Sequence, residues 1–460
     1  MRPRGTATAT ALAAIVALVV GSSRALGQAT APGAPGDAVE TSRPAAPLHS
    51  AKGDEAFLEA SWPDRVRTRD GAVGVVRDLP CARWDFDRMF FGALRPRDAD
   101  RADAQALLDA LAGGAPATLE SVEFEGRNAF TVRLLEGDAG GPVRRTPGAS
   151  TFVAVTARPT PDGRLSLQRT WFVLYDPIAS EPAEAAPKAR GVALFMPGIF
   201  GTPEGVAESL VRALRRRGWC VLRLLAQPSR FTEAVEFRVD PAHPESGAVT
   251  IADTLGQRAA EVAYAVELAM ARVDSVRPEL GKLPHVVIGF SGGAITTPVV
   301  VARDPRRFAA AILVAGGADY WLVNAHSTYA DMISSIRTRW LGRAPTEEER
   351  AALARAYRAV ASLDSFHAAG AMRGMPSLHI LASADSAVPR ALGDLLARRM
   401  GASAEVWSRP GEHLPLFMAL PKDYTAMLDG LDARARGGPG EPGAEPAPVP
   451  RRTLQPAGAP

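Results

Sequence analysis

The chain of 460 residues contains only two cysteines, Cys81 and Cys220. This number excludes a disulfide-rich scaffold, and no group of cysteines and histidines has the spacing of a metal site. No glycine-rich phosphate loop follows a strand-like run. We therefore expect neither a metal nor a cofactor. Two interpretations stay open for the cysteines: they pair in an oxidising compartment, or Cys220, within the strand-like run 219–225, is a buried apolar residue.

The sequence also lacks an apolar run long enough to cross a membrane comfortably. The run Ala11–Val20 follows Arg2 and Arg4 and leads into mostly small residues before Gln28. This is the layout of a secretory signal peptide, and the run is shorter than the roughly 20 residues that a membrane helix needs. We expect cleavage after residue 27, export to the periplasm or the medium, and no integral membrane segment in the mature protein.

A strong net charge is missing as well. The formal charge of +3 includes Arg2, Arg4 and Arg24, and no acidic residue precedes position 28, so the chain from Gln28 onward is formally neutral. Electrostatic attraction to nucleic acid or to an anionic membrane therefore has no support. The composition, 47% hydrophobic and 22% charged, is sufficient for a sizeable core.

Shifts in composition divide the chain into segments. Residues 28–54 and 437–460 are rich in Pro, Ala and Gly and are predicted to be disordered. Residues 55–145 have a globular pattern and form an N-terminal extension to which the sequence assigns no role. Residues 150–320 and 375–436 are predicted to form one α/β domain, with residues 321–374 inserted into it as a helical cap.

Strands and helices alternate along the predicted α/β domain. Two β-rich runs, 152–156 and 165–175, are separated by a Pro-Asp-Gly turn and suggest an antiparallel pair at a sheet edge. Strand-like and helical runs then alternate from residue 192 onward, which is typical of a mostly parallel sheet covered on both faces. This alternation stops between residues 317 and 374, where aromatic residues and a helical pattern occur without a convincing strand. The predicted fold class is therefore α/β, a mostly parallel central sheet flanked by helices, with a helical insertion and a small N-terminal α+β extension.

The segment His285–Asp304 carries the clearest chemical signal. An apolar β-rich run, His285–Phe290, predicts a strand that ends in the sharp turn Gly289-Phe290-Ser291-Gly292-Gly293, and a helical pattern follows. A G-x-S-x-G between a strand and a helix is a nucleophile elbow, in which small neighbours allow the sharp turn that exposes the serine. We predict that Ser291 is a nucleophile. The alternative is a glycine-rich turn with no chemistry.

A serine hydroxyl needs a base, and the base needs a partner. Among the seven histidines, His413 follows the last predicted strand, and the sequence predicts it as the base. Asp385 follows the strand before that and is the predicted acid, although an aspartate there can also simply start a turn. Asp319, after the preceding strand, is the second choice. The order Ser291, Asp385, His413 is the one expected for an elbow of this kind.

The oxyanion of a tetrahedral intermediate needs two aimed donors. We predict the N–H of Gly292 as one. The second is expected from the loop Pro197-Gly198-Ile199-Phe200-Gly201, with Ile199 the first choice and Phe200 the second.

These motifs together, PGIFG, GFSGG, the Asp385 loop and GEH, resemble the α/β-hydrolase superfamily with a helical cap after the sixth strand. The resemblance covers residues 152–435, about three fifths of the chain. It implies an eight-stranded sheet and a triad of Ser291, His413 and Asp385 without a cofactor. One departure is that many members have His-Gly where this chain has Pro197-Gly198.

From the residues and the resemblance we predict an exported serine hydrolase that cleaves a carboxylic ester of a small or acylated substrate. An exopeptidase or amidase of the same fold is an alternative. A non-catalytic binding protein that keeps the fold is another. The aromatic residues Trp321, Tyr329 and Trp340 of the insertion either line an apolar pocket or hold the insertion to the body.

Overall fold

In the computed structural model, the described residues are 65–67, 73–75, 148–159, 165–179, 187–199, 202–225, 234–328 and 336–436. The predicted signal peptide, linker and C-terminal tail lie outside these residues. So does nearly all of the N-terminal extension, of which two short strands are described.

The strands are, in chain order, β1 (Arg65–Arg67), β2 (Val73–Val75), β3 (Ala149–Pro159), β4 (Leu165–Tyr175), β5 (Gly191–Met196), β6 (Trp219–Leu224), β7 (Val235–Val239), β8 (His285–Phe290), β9 (Phe308–Val314), β10 (Ile336–Trp340), β11 (Ser377–Ala382) and β12 (Ala404–Arg409). The helices are α1 (Glu204–Arg216), α2 (Pro244–Val276), α3 (Gly292–Arg303), α4 (Tyr320–His326), α5 (Glu347–Val360), α6 (Ser365–Ala368), α7 (Arg390–Met400), α8 (His413–Ala419) and α9 (Tyr424–Arg436). Three short 3₁₀ turns are Leu280–Lys282, Ala369–Met372 and Leu420–Lys422.

Eight of the strands form one sheet in the order β12-β11-β9-β8-β5-β6-β4-β3. Pairing is parallel from β12 to β6, and β4 is antiparallel to both β6 and β3. The long antiparallel pair therefore lies at one edge, as the sequence predicted. The fold class is confirmed: this is a mostly parallel, eight-stranded sheet flanked by helices, as the resemblance to α/β hydrolases implies.

Helices cover both faces of the sheet, which explains the nearly continuous apolar runs of the central strands. All residues of β5, β6, β8, β9 and β11 are buried. Their side chains alternate between two cores: Leu194 packs in the core that contains α2 and α3, and Phe195 packs in the core that contains α1 and α9. The parallel strands consequently share a single carboxyl edge, where their loops meet.

The insertion differs from its prediction, because it contains a strand. β10 pairs in parallel with β7, with Ile336 opposite Val235. β7 belongs to the connection between β6 and α2, so two excursions from the sheet pair with each other. The side chains of β10 alternate between half-buried and exposed. This alternation spans only five residues and depends on a partner 101 positions earlier, so the sequence did not reveal it.

The rest of the insertion packs on the helices of one sheet face. α5 lies against α2, and α6 with the following 3₁₀ turn lies against α3. Trp321 is buried in this core, and its indole N–H donates to the Thr338 hydroxyl of β10 at 3.2 Å. Trp321 therefore holds the insertion together, while Tyr329 lies outside the described residues.

Cys220 is a buried, free thiol in β6. Burial raises the pKa of this thiol to about 11. Cys81, its possible partner, lies outside the described residues. Among the helices that the structure describes, none combines the length and the apolar character that crossing a membrane requires.

Candidate active site

Ser291 lies at the corner between β8 and α3. Its backbone has φ 50° and ψ −116°, a conformation that non-glycine residues rarely adopt. The corner is held by two backbone hydrogen bonds: the N–H of Ser291 donates to the carbonyl of Val314 at 2.8 Å, and its carbonyl accepts from the N–H of Ile295 at 2.9 Å. The strained serine is therefore fixed between β9 and the first turn of α3.

The glycines around Ser291 are sterically required. A Cβ atom at Gly289 would lie 2.6 Å from the carbonyl oxygen of Gly293, and one at Gly293 would lie 2.2 Å from that of Met196. Both distances are shorter than real Cβ contacts. The first turn of α3 can therefore pack directly against the ends of β5 and β8 only if these positions carry no side chain.

Three side chains form a hydrogen-bonded line at this corner. Nε2 of His413 lies 2.9 Å from Oγ of Ser291, and Nδ1 of His413 lies 2.8 Å from Oδ2 of Asp385. His413 and Asp385 are 6% and 8% exposed, whereas Ser291 is half-buried. The structure thus brings together the three residues that the sequence selected, with the histidine between the serine and the carboxylate.

The carboxylate of Asp385 is fixed through both oxygens. While Oδ2 faces His413, Oδ1 accepts from the backbone N–H groups of Ala387 at 3.0 Å and Val388 at 2.8 Å. The residue therefore also organises its own turn, which was the alternative interpretation of this aspartate. Both roles coexist because a carboxylate has two oxygens.

His413 is the first residue of the short helix α8, which the sequence did not predict. One helical turn later, Phe417 contacts the imidazole edge-on, with ring centroids 5.2 Å apart and an interplanar angle of 80°. Phe417 in turn packs on Phe290, the residue before the serine. The sequence did not predict these aromatic contacts of Phe417. An apolar residue four positions after the histidine signals them only if a helix is predicted there.

The loop after β5 adjoins the first turn of α3. A Cβ atom at Gly292 would lie 2.8 Å from the backbone nitrogen of Ile199. Gly292 and Ile199, the predicted pair of donors, are therefore neighbours. The N–H of Gly198 donates to the hydroxyl of Thr202 at 3.3 Å, a bond that ties the loop to the start of α1 and that the sequence did not suggest. Phe200, the second choice, lies outside the described residues.

Asp319, the second choice for the acid, lies elsewhere. It is fully buried, caps the N-terminus of α4 and forms an ion pair with Arg358 of α5. Burial raises the pKa of Asp319, and Arg358 opposes the shift. It is a structural residue that joins the end of β9 to the insertion.

The other described histidines have environments unlike that of His413. His285 and His379 are buried in strands, and burial lowers their pKa values to about 4 and about 3. Burial also lowers the pKa values of His326 and His367. His243 is exposed in front of α2. Within the described part of the chain, no group of three or more His, Cys, Asp or Glu side chains could hold a metal ion.

Comparison with known proteins gives distant matches among solved structures. No family model and no curated protein matches the sequence. An esterase of Pyrococcus furiosus is 12% identical, with 61% of this chain and 92% of that chain covered at a TM-score of 0.38. A cold-adapted esterase from an Arctic intertidal metagenomic library is 16% identical, with 64% and 96% covered at 0.34. The acylaminoacyl peptidase of Pyrococcus horikoshii is 12% identical, with 64% and 43% covered at 0.39. At such distances, the activity of this chain has to be inferred from its own residues.

Proposed function

We propose that this chain is a serine hydrolase that cleaves a carboxylic ester through Ser291, His413 and Asp385. The observation that carries the proposal is the position of His413, whose two ring nitrogens lie within hydrogen-bond distance of Ser291 Oγ and Asp385 Oδ2. A histidine held in this way can accept the serine proton at Nε2 while its Nδ1–H remains bonded to the carboxylate.

The proposed reaction has two halves. Ser291 Oγ attacks the acyl carbon as its proton moves to His413, and the collapse of the tetrahedral intermediate releases the alcohol, which takes that proton. Water then attacks the acyl-enzyme, giving a proton to His413 and regenerating Ser291 with release of the acid. Asp385 stabilises the imidazolium in both halves.

In this proposal, the backbone N–H groups of Gly292 and Ile199 stabilise the negative charge on the oxygen of each tetrahedral intermediate. Their proximity supports this assignment, because two donors that converge from different loops can contact one oxygen. Gly292 is also the first residue of α3, whose amino end carries a partial positive charge.

An activated serine is tested with a fluorophosphonate probe on the purified protein. Wild type should be labelled, whereas Ser291→Ala and His413→Ala should not, with activity reduced on the order of 10⁶-fold. Ser246→Ala, in the exposed first turn of α2, and His243→Ala, at the exposed N-cap position of the same helix, are matched controls and should be labelled like wild type. A folded wild type that stays unlabelled would overturn the proposal and favour a binding protein.

Ester and amide substrates separate the two hydrolase alternatives. Paired p-nitrophenyl esters and p-nitroanilides with the same acyl group should show turnover of the ester, with the anilide far slower. An ester is proposed because the same three residues meet a lower barrier when the leaving group is an alkoxide. Comparable turnover of both would identify an amidase instead.

Export is a separate part of the proposal and depends on the sequence of residues 1–27. Expression of the full chain in a bacterium should give a mature protein that begins at Gln28, outside the cytoplasm. Mass spectrometry of the periplasmic and culture fractions checks this outcome, and an intact N-terminus in the cytoplasm would contradict it.

A further inference from the structure

Ser386, the residue after Asp385, forms hydrogen bonds with two other segments, donating to one and accepting from the other. Its N–H and its hydroxyl both donate to Oε2 of Glu412, at 3.2 and 2.9 Å. Its carbonyl accepts from the N–H of Thr328 at 2.8 Å and from the Thr328 hydroxyl at 3.0 Å. Four hydrogen bonds thus converge on a single residue of the Asp385 loop.

The partners of Ser386 come from two parts of the chain that matter for the site. Glu412 directly precedes His413 and is the N-terminal cap position of α8. Thr328 follows α4 and belongs to the insertion. The Asp385 loop is therefore held between the histidine segment on one side and the insertion on the other.

These contacts complement those made by Asp385 itself. The bonds from Ala387 and Val388 fix the carboxylate within its own turn, but they do not fix the turn relative to His413. The bonds between Ser386 and Glu412 do so, because they join the residues adjacent to each member of the Asp385–His413 pair. Small displacements of a catalytic pair are costly, since about 1 Å can lower a rate on the order of 100-fold.

We propose that Glu412, acting through Ser386, is a positioning residue that holds the Asp385 loop against the His413 segment, and that Thr328 couples the insertion to the same loop. The inference rests on the proposed function, because it assigns Glu412 to the geometry of the triad. Glu412 and Ser386 do not contact the reacting atoms in this assignment; they act on the distance between Asp385 and His413.

Kinetics on an ester substrate test the assignment. Glu412→Ala should lower kcat about 10- to 100-fold with KM within about twofold. Glu412→Gln, which retains an acceptor oxygen, should recover most of the rate. Thr328→Val removes only the hydroxyl donor and should lower kcat by about threefold. Glu245→Ala, an exposed glutamate beside His243, is the matched control and should behave like wild type.

A double-mutant comparison separates positioning from general structural damage. In an Asp385→Asn background, Glu412→Ala should change the rate of fluorophosphonate labelling by less than about twofold, because the residue that it positions is already impaired. Equal losses in both backgrounds, or a rise in KM with unchanged kcat, would overturn the proposal. Labelling that survives Ser291→Ala would instead refute the proposed function itself, so the two failures are distinguishable.

Discussion

Two aspartates occupy equivalent places in this fold and have different roles. Asp319 follows β9 and Asp385 follows β11, and these strands are neighbours in the sheet. Asp385 faces His413 at the edge of the site, whereas Asp319 is fully buried against Arg358. An aspartate that follows a parallel strand therefore lies at the carboxyl edge of the sheet. The residue with which it pairs determines its role.

The hydrogen-bond networks around Asp319 and Asp385 also differ. The Asp319 loop is joined to a second buried carboxylate, because Asp364 accepts from the backbone N–H groups of Asp319 at 3.0 Å and Tyr320 at 2.7 Å. Tyr357 donates to Asp364 at 2.6 Å. This network connects α5 and α6 to the end of β9. It anchors the insertion, whereas the Asp385 network holds His413 beside Ser291.

The largest expected contrast lies in the chemistry. Asp385→Asn should lower kcat about 10³- to 10⁴-fold, because an amide cannot hold the tautomer of His413 that accepts the serine proton. The temperature of unfolding should stay within a few degrees of wild type. Steady-state kinetics and calorimetry on the same sample check both parts, and a variant with near-normal kcat would remove Asp385 from the triad.

The reverse pattern is expected for the other aspartate. Asp319→Asn leaves the Arg358 guanidinium buried without its counter-charge and should reduce the free energy of unfolding by about 3–5 kcal/mol. Activity per folded molecule, normalised by probe labelling, should remain close to wild type. Urea denaturation measures the first quantity. A folded Asp319→Asn protein that cannot be labelled would show that the two assignments are exchanged.

A control for that variant removes both charges. Asp319→Leu combined with Arg358→Met should be more stable than Asp319→Asn, because the guanidinium that has lost its counter-charge is removed as well. Equal losses would show that cavity formation, rather than the ion pair, determines the stability of this region.

A smaller loss of unfolding free energy is expected at Tyr357, which contacts Asp364 rather than the ion pair itself. Tyr357→Phe removes the hydroxyl that donates to Asp364 and should cost about 1.5–3 kcal/mol, the range for a hydrogen bond to a charged acceptor. Its kcat should equal that of wild type. Denaturant unfolding with parallel ester assays checks the prediction, and a fall in kcat would link the anchoring network to the site.

Buried and exposed histidines should differ in their effect on the pH dependence of the unfolding free energy. The pKa of His379 in the folded chain, about 3, lies below the ordinary value of 6.5, so the unfolded chain binds the proton first as the pH falls. The stabilising contribution of neutral His379 is complete above pH 6.5 and is lost at about 1.4 kcal/mol per pH unit below it. His379→Leu should flatten the dependence of unfolding free energy on pH by that amount, whereas His243→Gln, at an exposed position, should leave it unchanged.

Much of this architecture was accessible from the sequence, because the relevant signals are local. The strand His285–Phe290 has the predicted bounds, and Glu347–Val360 begins directly after Thr346, whose side chain closes a capping box with Glu349. Apolar periodicity and caps are properties of neighbouring residues. The choice of His413 likewise needed only its place after the last strand.

What the sequence did not reveal depends on distant partners. β10 is a strand because β7 lies beside it, and the alternation within each segment spans only five residues. The choice between Asp319 and Asp385 depends on Arg358 and His413, which are 39 and 28 positions away, respectively. Composition and spacing cannot report such pairings, and the Ser386 contacts with Glu412 and Thr328 belong to the same class.

The hydrogen bond between His413 and Ser291 joins residues 122 positions apart, and Ile199 lies still earlier in the chain. During synthesis the loop that contains Ile199 and the strand that precedes Ser291 are therefore made long before His413. In the proposed mechanism, a chain that stops before residue 413 would hold the serine without its histidine and would be inert towards esters. The proposed activity would therefore require the last two helices, and a growing chain would be inactive until they are made.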